Sequence, residues 1–259
     1  MLDLHLAAGG CAGWQPGQTH SMLSWPETLT LVRHGESFGN IANADAYAAK
    51  AERLDLSVND PSVELSDLGV RQAQALGKRL GELAPAQRPT VVVVSSYVRA
   101  QQTADYLLEA AGLDDVVRVA DERLRDREQG ILDRLTGRGI RAEFPAEADR
   151  RDYLGKFWYR PPGGESWADV AQRIRSVLRD LRADYDGERV LVVTHDVPIL
   201  LARYVIEGLS PDEVVALSRQ IVNCGMTTYR RDGHTLWLEK FNDATPIEDD
   251  DDAAVTAHE

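Results

Sequence analysis

Leu29-Thr30-Leu31-Val32-Arg33-His34-Gly35-Glu36-Ser37 is an apolar run that ends abruptly in a cation, an imidazole and a glycine. It reads as a buried central strand over Glu27 to Arg33 with Arg33 and His34 at its tip. In open α/β sheets ligands bind outside the carboxyl ends of the strands. A second run, Val190-Leu191-Val192-Val193-Thr194-His195, also ends on a histidine. A third, Val91-Val92-Val93-Val94-Ser95-Ser96, leads into Arg99. Three strands thus deliver two histidines and two arginines to one region. Arginine presents a planar fork of donors and stays charged at any working pH. Such a cationic cup suits a phosphoryl group.

The rest of the chain fills in the strand–helix alternation. Ser66 is a candidate N-cap for a helix in which Val70, Ala73, Leu76 and Leu80 recur at helical spacing. Thr90 to Ser95 has no polar alternation and reads as a strand buried on both faces. A helix from Arg99 to Ala111 stops at Gly112, and Val116 to Val119 reads as a short parallel strand. Residues 121–164 read as irregular segments with one helix, about Ala146 to Phe157. Pro161-Pro162-Gly163-Gly164 breaks it. Glu165 to Tyr185 is a long amphipathic helix, followed by a strand over Arg189 to Thr194 and a helix over Pro198 to Glu207. Ser210-Pro211-Asp212-Glu213 is a capping box, and Thr227 to Phe241 is a hairpin around Asp232-Gly233. The expected fold is α/β, a three-layer sandwich with a mostly parallel central sheet and helices on both faces.

Expected organisation is a flexible leader over 1–24, a catalytic domain over 25–243 with 121–164 as a covering insertion, and an acidic disordered tail over 244–259. Met22 is an alternative start for the folded unit. The net charge of −13 argues against nucleic acid and anionic membranes as partners. The phosphate site must therefore be a local basic island. Part of the acidity lies in Glu248, Asp249, Asp250, Asp251, Asp252 and Glu259. Cys11 and Cys224 make neither a disulfide framework nor a metal cluster. With no secretory leader or bilayer-length apolar stretch, a cytoplasmic setting is expected.

A phosphoryl-transfer site needs a nucleophile, cations around the phosphoryl oxygens and an acid for the leaving group. A neutral imidazole can be the nucleophile, because one ring nitrogen keeps its lone pair. The chain has no Gly-x-x-x-x-Gly-Lys-Ser/Thr loop and no spaced ligand cluster, so neither a metal nor a cofactor is expected.

Five ordered segments resemble the histidine phosphatase superfamily, the phosphoglycerate mutase-like proteins. They are Leu31 to Asn40, Leu65-Ser66-Asp67-Leu68-Gly69 with Gln72-Ala73, Ser95 to Ala104, Gly163-Gly164-Glu165-Ser166, and Val193-Thr194-His195. The resemblance spans roughly residues 28–230. It implies that His34 is the nucleophile and becomes phosphorylated. It places Arg33, Arg99 and His195 around the transferred group, with Ser37 and Asn40 as further phosphate contacts. Ser37 and Asn40 are equally good turn and cap formers.

The family supplies a glutamate acid from an L-x-E-x-x-x-G segment. Leu124-Arg125-Asp126-Arg127-Glu128-Gln129-Gly130 aligns without a gap and puts Asp126 at that position, with Glu128 as the rival. In an extended segment both point to the same side. A salt bridge to Arg123, Arg125 or Arg127 is the structural alternative for Asp126. Asp196 stands after His195 where many relatives have glycine. It either orients or charges His195, or faces solvent.

The resemblance implies a metal-independent phosphomonoesterase acting on a small phosphorylated metabolite. A phosphoglycerate mutase is the alternative, although the stretch from Asp126 to His195 is short for one. A binding module that kept the cup and lost turnover is the third reading. The expected partner is a small phosphorylated substrate, with a homodimer left open and neither nucleic acid nor membrane involved. The aromatic group Tyr153, Phe157, Trp158, Tyr159 and Trp167 either roofs an apolar pocket or packs the covering helices.

Overall fold

β1 (Thr28–Arg33) lies parallel to β4 (Arg189–Thr194) and antiparallel to β5 (Met226–Asp232) in the computed structural model, which describes residues 24–218 and 220–257. With β2 (Val91–Ser95), β3 (Val117–Asp121) and β6 (Thr235–Asp243), the order is β3-β2-β4-β1-β5-β6. The first four strands in that order are mutually parallel, and the β5–β6 hairpin adds the antiparallel edge. The described helices are α1 (Phe38–Ala48), α2 (Asp67–Gly81), α3 (Val98–Ala111), α4 (Gly137–Glu143), α5 (Pro145–Trp158), α6 (Trp167–Asp184), α7 (Asp196–Glu207), α8 (Pro211–Ala216) and α9 (Thr245–Glu248). The leader, Cys11 and Met22 lie outside the described residues.

Period-two geometry sorts the strand residues between two cores. Leu29, Leu31, Val91, Val93, Val190 and Val192 pack with α6 and α7. Val32, Val92, Val94, Leu191 and Val193 pack with α2 and α3. This two-sided burial is what the unbroken valine runs encode, and it yields the expected three layers. Each fully buried Val or Leu side chain stabilises the fold by about 1.5–3 kcal/mol.

The local punctuation also matches. Ser66 caps α2 by accepting from Gly69 N, Gly112 ends α3 with φ 63°, and Ser210 with Glu213 forms the capping box of α8. Helix α7 starts two residues earlier than expected, so that Asp196 is its first residue. Within 121–164 the reading missed α4, which Thr136 caps by accepting from Gly139 N. Its two glycines disguise it, and Gly139 is there because a Cβ would lie 1.9 Å from Glu52 O. Phe157, Tyr159 and Trp167 are buried as packing, whereas Tyr153 is 90% exposed.

The tail departs from expectation. Ile247 is fully buried against the α2–α3 core. Lys78 pairs with Asp250 at 2.9 Å, and Arg71 donates to Asp252 O at 2.8 Å. Gln72 donates to Ala254 O at 2.6 Å and to Thr256 Oγ1 at 2.9 Å. Residues 244–257 therefore form a strap along α2 rather than a disordered end. Acidic composition predicts solvation, but Pro246-Ile247 and the backbone acceptors supply an anchor that composition does not reveal.

Candidate active site

The turn after β1 is held by close backbone approach. A Cβ on Gly69 would lie 2.0 Å from Glu36 O, and one on Gly35 would lie 2.5 Å from Gly69 O, so both positions exclude any side chain. Gln72 Oε1 accepts from Glu36 N at 2.8 Å, and Thr103 Oγ1 accepts from Gly35 N at 3.0 Å. Asn223 Nδ2 donates to His34 O at 3.0 Å, while His34 N donates to Thr194 O at 2.9 Å. His34 thus has an over-determined backbone.

Its ring is equally constrained. Nδ1 is 2.7 Å from Gly35 O, a pure acceptor, so Nδ1 carries the proton. Nε2 then keeps its lone pair and accepts from Arg99 Nε at 3.2 Å. Burial first, then the charges of Arg99, His195 and Arg33, hold the ring well below the usual histidine pKa. The neutral form is therefore favoured through physiological pH. We expect histidine 15N NMR to find His34 in its neutral Nδ1–H form at pH values where an ordinary histidine is charged. A titration midpoint near 6.5 would contradict this environment.

His195, at the tip of β4, lies with its ring centroid 5.1 Å from that of His34 and is fully buried. Its Nε2 is 2.9 Å from Ser95 Oγ at the end of β2. Nδ1 has no hydrogen-bond partner and lies 3.6 Å from Asp126 Oδ2. We assign the Nδ1–H tautomer, with Ser95 donating to Nε2, because it leaves a free donor toward Asp126 and the cup. Burial, then Arg99, also pushes His195 down. Arg33 donates Nη1 to Ile221 O at 2.5 Å, and its buried Nε is without a partner. Unpaired buried donors are costly, so both groups call for an acceptor that the described protein atoms do not supply.

Asp126 and Glu128 separate clearly. Asp126 Oδ2 is 3.1 Å from Arg99 Nη2, and the side chain is 25% exposed. Glu128 is 46% exposed and is engaged by Tyr97 Oη at 3.0 Å and Arg125 Nε at 3.5 Å. Asp126 therefore touches Arg99 directly, whereas Glu128 meets the cup through Tyr97, whose ring packs on Arg99 and His195. Arg173 of α6 positions the Asp126 segment by donating to the carbonyls of Arg123, Arg125 and Asp126 at 2.6–3.1 Å. It is itself paired with Glu165 of the Gly163–Ser166 segment at 2.9 Å.

Ser37 and Asn40 form the capping box of α1. Ser37 donates its hydroxyl to Asn40 Oδ1 and accepts from Asn40 N, so it caps α1. Asn40 Oδ1 is taken by Ser37 and by Asn223 Nδ2 at 3.3 Å, which leaves its amide nitrogen as the available donor. Asp196 accepts from Val197 N at 2.7 Å at the start of α7, and burial pushes its carboxyl up against the opposing pull of Arg33. Sequence reasoning missed Asp60, Asn223 and Arg173, and quoted Gln72 only as part of a motif. The first of these contacts Arg99 directly, with Oδ1 2.9 Å from Nη1.

Taken together, the His34 and His195 imidazoles, the Arg33 and Arg99 guanidinium groups and the carboxylates of Asp126 and Asp60 gather beyond the ends of β1, β2 and β4. This set can attack phosphorus, neutralise phosphoryl oxygens and protonate a leaving group. Comparison with known proteins is consistent with that chemistry. Residues 29–244 match the family described as histidine phosphatase superfamily (branch 1). A 2,3-bisphosphoglycerate-dependent phosphoglycerate mutase of Methylobacterium sp. (strain 4-46) is 33% identical over 198 residues, which cover 73% of this chain and 85% of the relative. The corresponding mutase of Azorhizobium caulinodans is 32% identical, covering 82% and 96%. Among solved structures, a mycobacterial glucosyl-3-phosphoglycerate phosphatase complexed with VO3 has a TM-score of 0.62 at 28% identity, covering 84% and 99%. Bacillus stearothermophilus YhfR has a TM-score of 0.68 at 25% identity, covering 85% and 98%. No helix among the described residues is long and apolar enough to cross a membrane.

Proposed function

The chain belongs to the histidine phosphatase superfamily, whose phosphatases and mutases make it a phosphoryl-transfer enzyme, and on that premise we propose that it is a phosphomonoesterase acting on a small phosphorylated metabolite. The observation that carries the reading is the His34 ring, with Nδ1 tied to Gly35 O and Nε2 facing Arg99. His34 Nε2 attacks phosphorus in line, and the bond to the ester oxygen breaks. Arg33, Arg99 and His195 stabilise the equatorial oxygens. Asp126 gives its proton to the departing alkoxide. Water then attacks the phosphohistidine, Asp126 takes up a proton from it, and inorganic phosphate leaves. The two guanidinium groups supply the positive charge that a metal provides in other phosphoryl-transfer sites, so no cofactor enters the scheme.

A mutase is the second reading, because the relatives named above carry that activity. Arg127 is the observation that favours it. Its Nε donates to Glu165 O at 2.6 Å, and its terminal nitrogens have no hydrogen-bond partner among the described residues. Burial, then the nearby Arg151, pushes it down to about 10, so an anionic group on the substrate would be welcome there.

p-Nitrophenyl phosphate in EDTA tests the first reading: steady release of phosphate is expected. With 3-phosphoglycerate, phosphorus NMR separates hydrolysis from isomerisation without phosphate release, which would favour the mutase. Phosphate binding without turnover of either substrate would leave a binding module.

A further inference from the structure

We propose that Asp60 is an internal ligand of the phosphoryl site, which an incoming phosphoryl group must displace from Arg99. The inference rests on the reading of Arg99 as a phosphoryl ligand. All three guanidinium nitrogens of Arg99 are engaged by protein groups. Nε faces His34 Nε2 at 3.2 Å. Nη1 donates to Asp60 O at 2.8 Å and to Asp60 Oδ1 at 2.9 Å. Nη2 is shared between Asp60 Oδ2 at 3.4 Å and Asp126 Oδ2 at 3.1 Å.

A phosphorus atom under attack by His34 Nε2 places its oxygens beside these same donors. Attack by His34 Nε2 turns its lone pair from Arg99 Nε to phosphorus, which frees that donor for a phosphoryl oxygen, and Asp126 stays close as the proton donor. Asp60 has no part in either step, so its contact with Nη1 is the one a second oxygen can replace. A carboxylate left in place would share one guanidinium with a phosphoryl dianion, and like charges at that range repel strongly. The pocket is already crowded with negative charge. Burial pushes the Asp60 carboxyl up, and Asp126 and Asp133 add to that shift.

Asp60 does not stand on the sheet. It comes from the 3-10 turn Asp60–Ser62, in the segment between α1 and α2. A cavity of about 730 Å³ lies between α1 and this segment, lined among others by Phe38, Ile41, Val58, Ser62 and Val63. Ser62 and Val63, two and three positions after Asp60, line this cavity. The Asp60 side chain is 43% exposed against 5% for Arg99, so the carboxylate has solvent to move into.

Self-occupation of a site lowers apparent affinity by the fraction of molecules in which it is free. An Arg99 held by Asp60 nine-tenths of the time binds phosphate about tenfold more weakly than an open one. The test is calorimetric titration of inorganic phosphate and of orthovanadate into the full chain, Asp60→Asn, Asp60→Ser and Asp133→Asn. Both Asp60 variants should bind each anion about tenfold more tightly. Asp133→Asn removes the same charge nearby without touching Arg99 and should stay within about twofold. An equal gain in Asp133→Asn would show general charge repulsion and overturn the proposal. Unchanged or weaker binding in both Asp60 variants would make Asp60 a support for Arg99 and also overturn it. Failure of every protein to bind either anion would overturn the phosphoryl-site reading itself, and the displacement with it.

Discussion

Replacing His34 with alanine should lower kcat on p-nitrophenyl phosphate by on the order of 10⁴-fold or more. Among the described groups of the cup, its Nε2 is the uncharged nitrogen whose lone pair is directed at a cation, Arg99, which a phosphoryl group would draw away. Arg33 and Arg99 carry no lone pair to offer. His195 is directed by Ser95 on one side and Asp126 on the other. Rapid quench of the wild type should trap acid-labile phosphate on the protein, and the variant should trap none. The fold should survive, because the ring's described hydrogen bonds reach only Gly35 O and Arg99. The turn's backbone is held independently by Asn223, Thr194, Gln72 and Thr103. Circular dichroism would check that. A variant retaining more than about a tenth of wild-type turnover would remove His34 as the nucleophile.

The sheet and the heart of the cup were legible for one physical reason. Strands buried on both faces are written as unbroken apolar runs, and a charged group at the end of such a run has only the sheet's edge to occupy. That logic places Arg33, His34, Arg99 and His195 without knowledge of the tertiary structure. It fails for Asp60, Asn223 and Arg173. Asp60 lies on a short turn in an irregular segment, and Asn223 on a loop before β5. Their arrival at the cup depends on how the intervening chain folds back. Arg173 reads as one more polar residue on an amphipathic helix, yet it points inward at three carbonyls. Local chemistry pulls two ways at Ser37. Its position in the motif suggests a ligand, and the demand for an N-cap on α1 engages its hydroxyl. The tail shows the same limit. Its charge argued for disorder, but one buried isoleucine and the amide of Gln72 secure it.

Asp126→Asn should separate substrates by their leaving groups. An alkoxide is a poor leaving group and needs a proton in the transition state, whereas p-nitrophenolate departs without one. We expect kcat/KM on β-glycerol phosphate to fall by about 10²–10⁴-fold and that on p-nitrophenyl phosphate by less than about tenfold. Glu128→Gln should leave both within about twofold, since Glu128 is engaged by Tyr97 and Arg125 rather than by Arg99 or His195. Asp126→Asn also alters the contacts that Asp126 makes with Arg99 and His195 Nδ1. Loss of that positioning would lower both substrates alike, because every phosphoryl group meets the same cations. The diagnostic quantity is therefore the slope of log kcat/KM against leaving-group pKa. It should become steeper in Asp126→Asn and stay unchanged in Glu128→Gln. A parallel fall with unaltered slope would make Asp126 a positioning residue for Arg99 and His195. A steeper slope in Glu128→Gln alone would move the acid two residues along the chain.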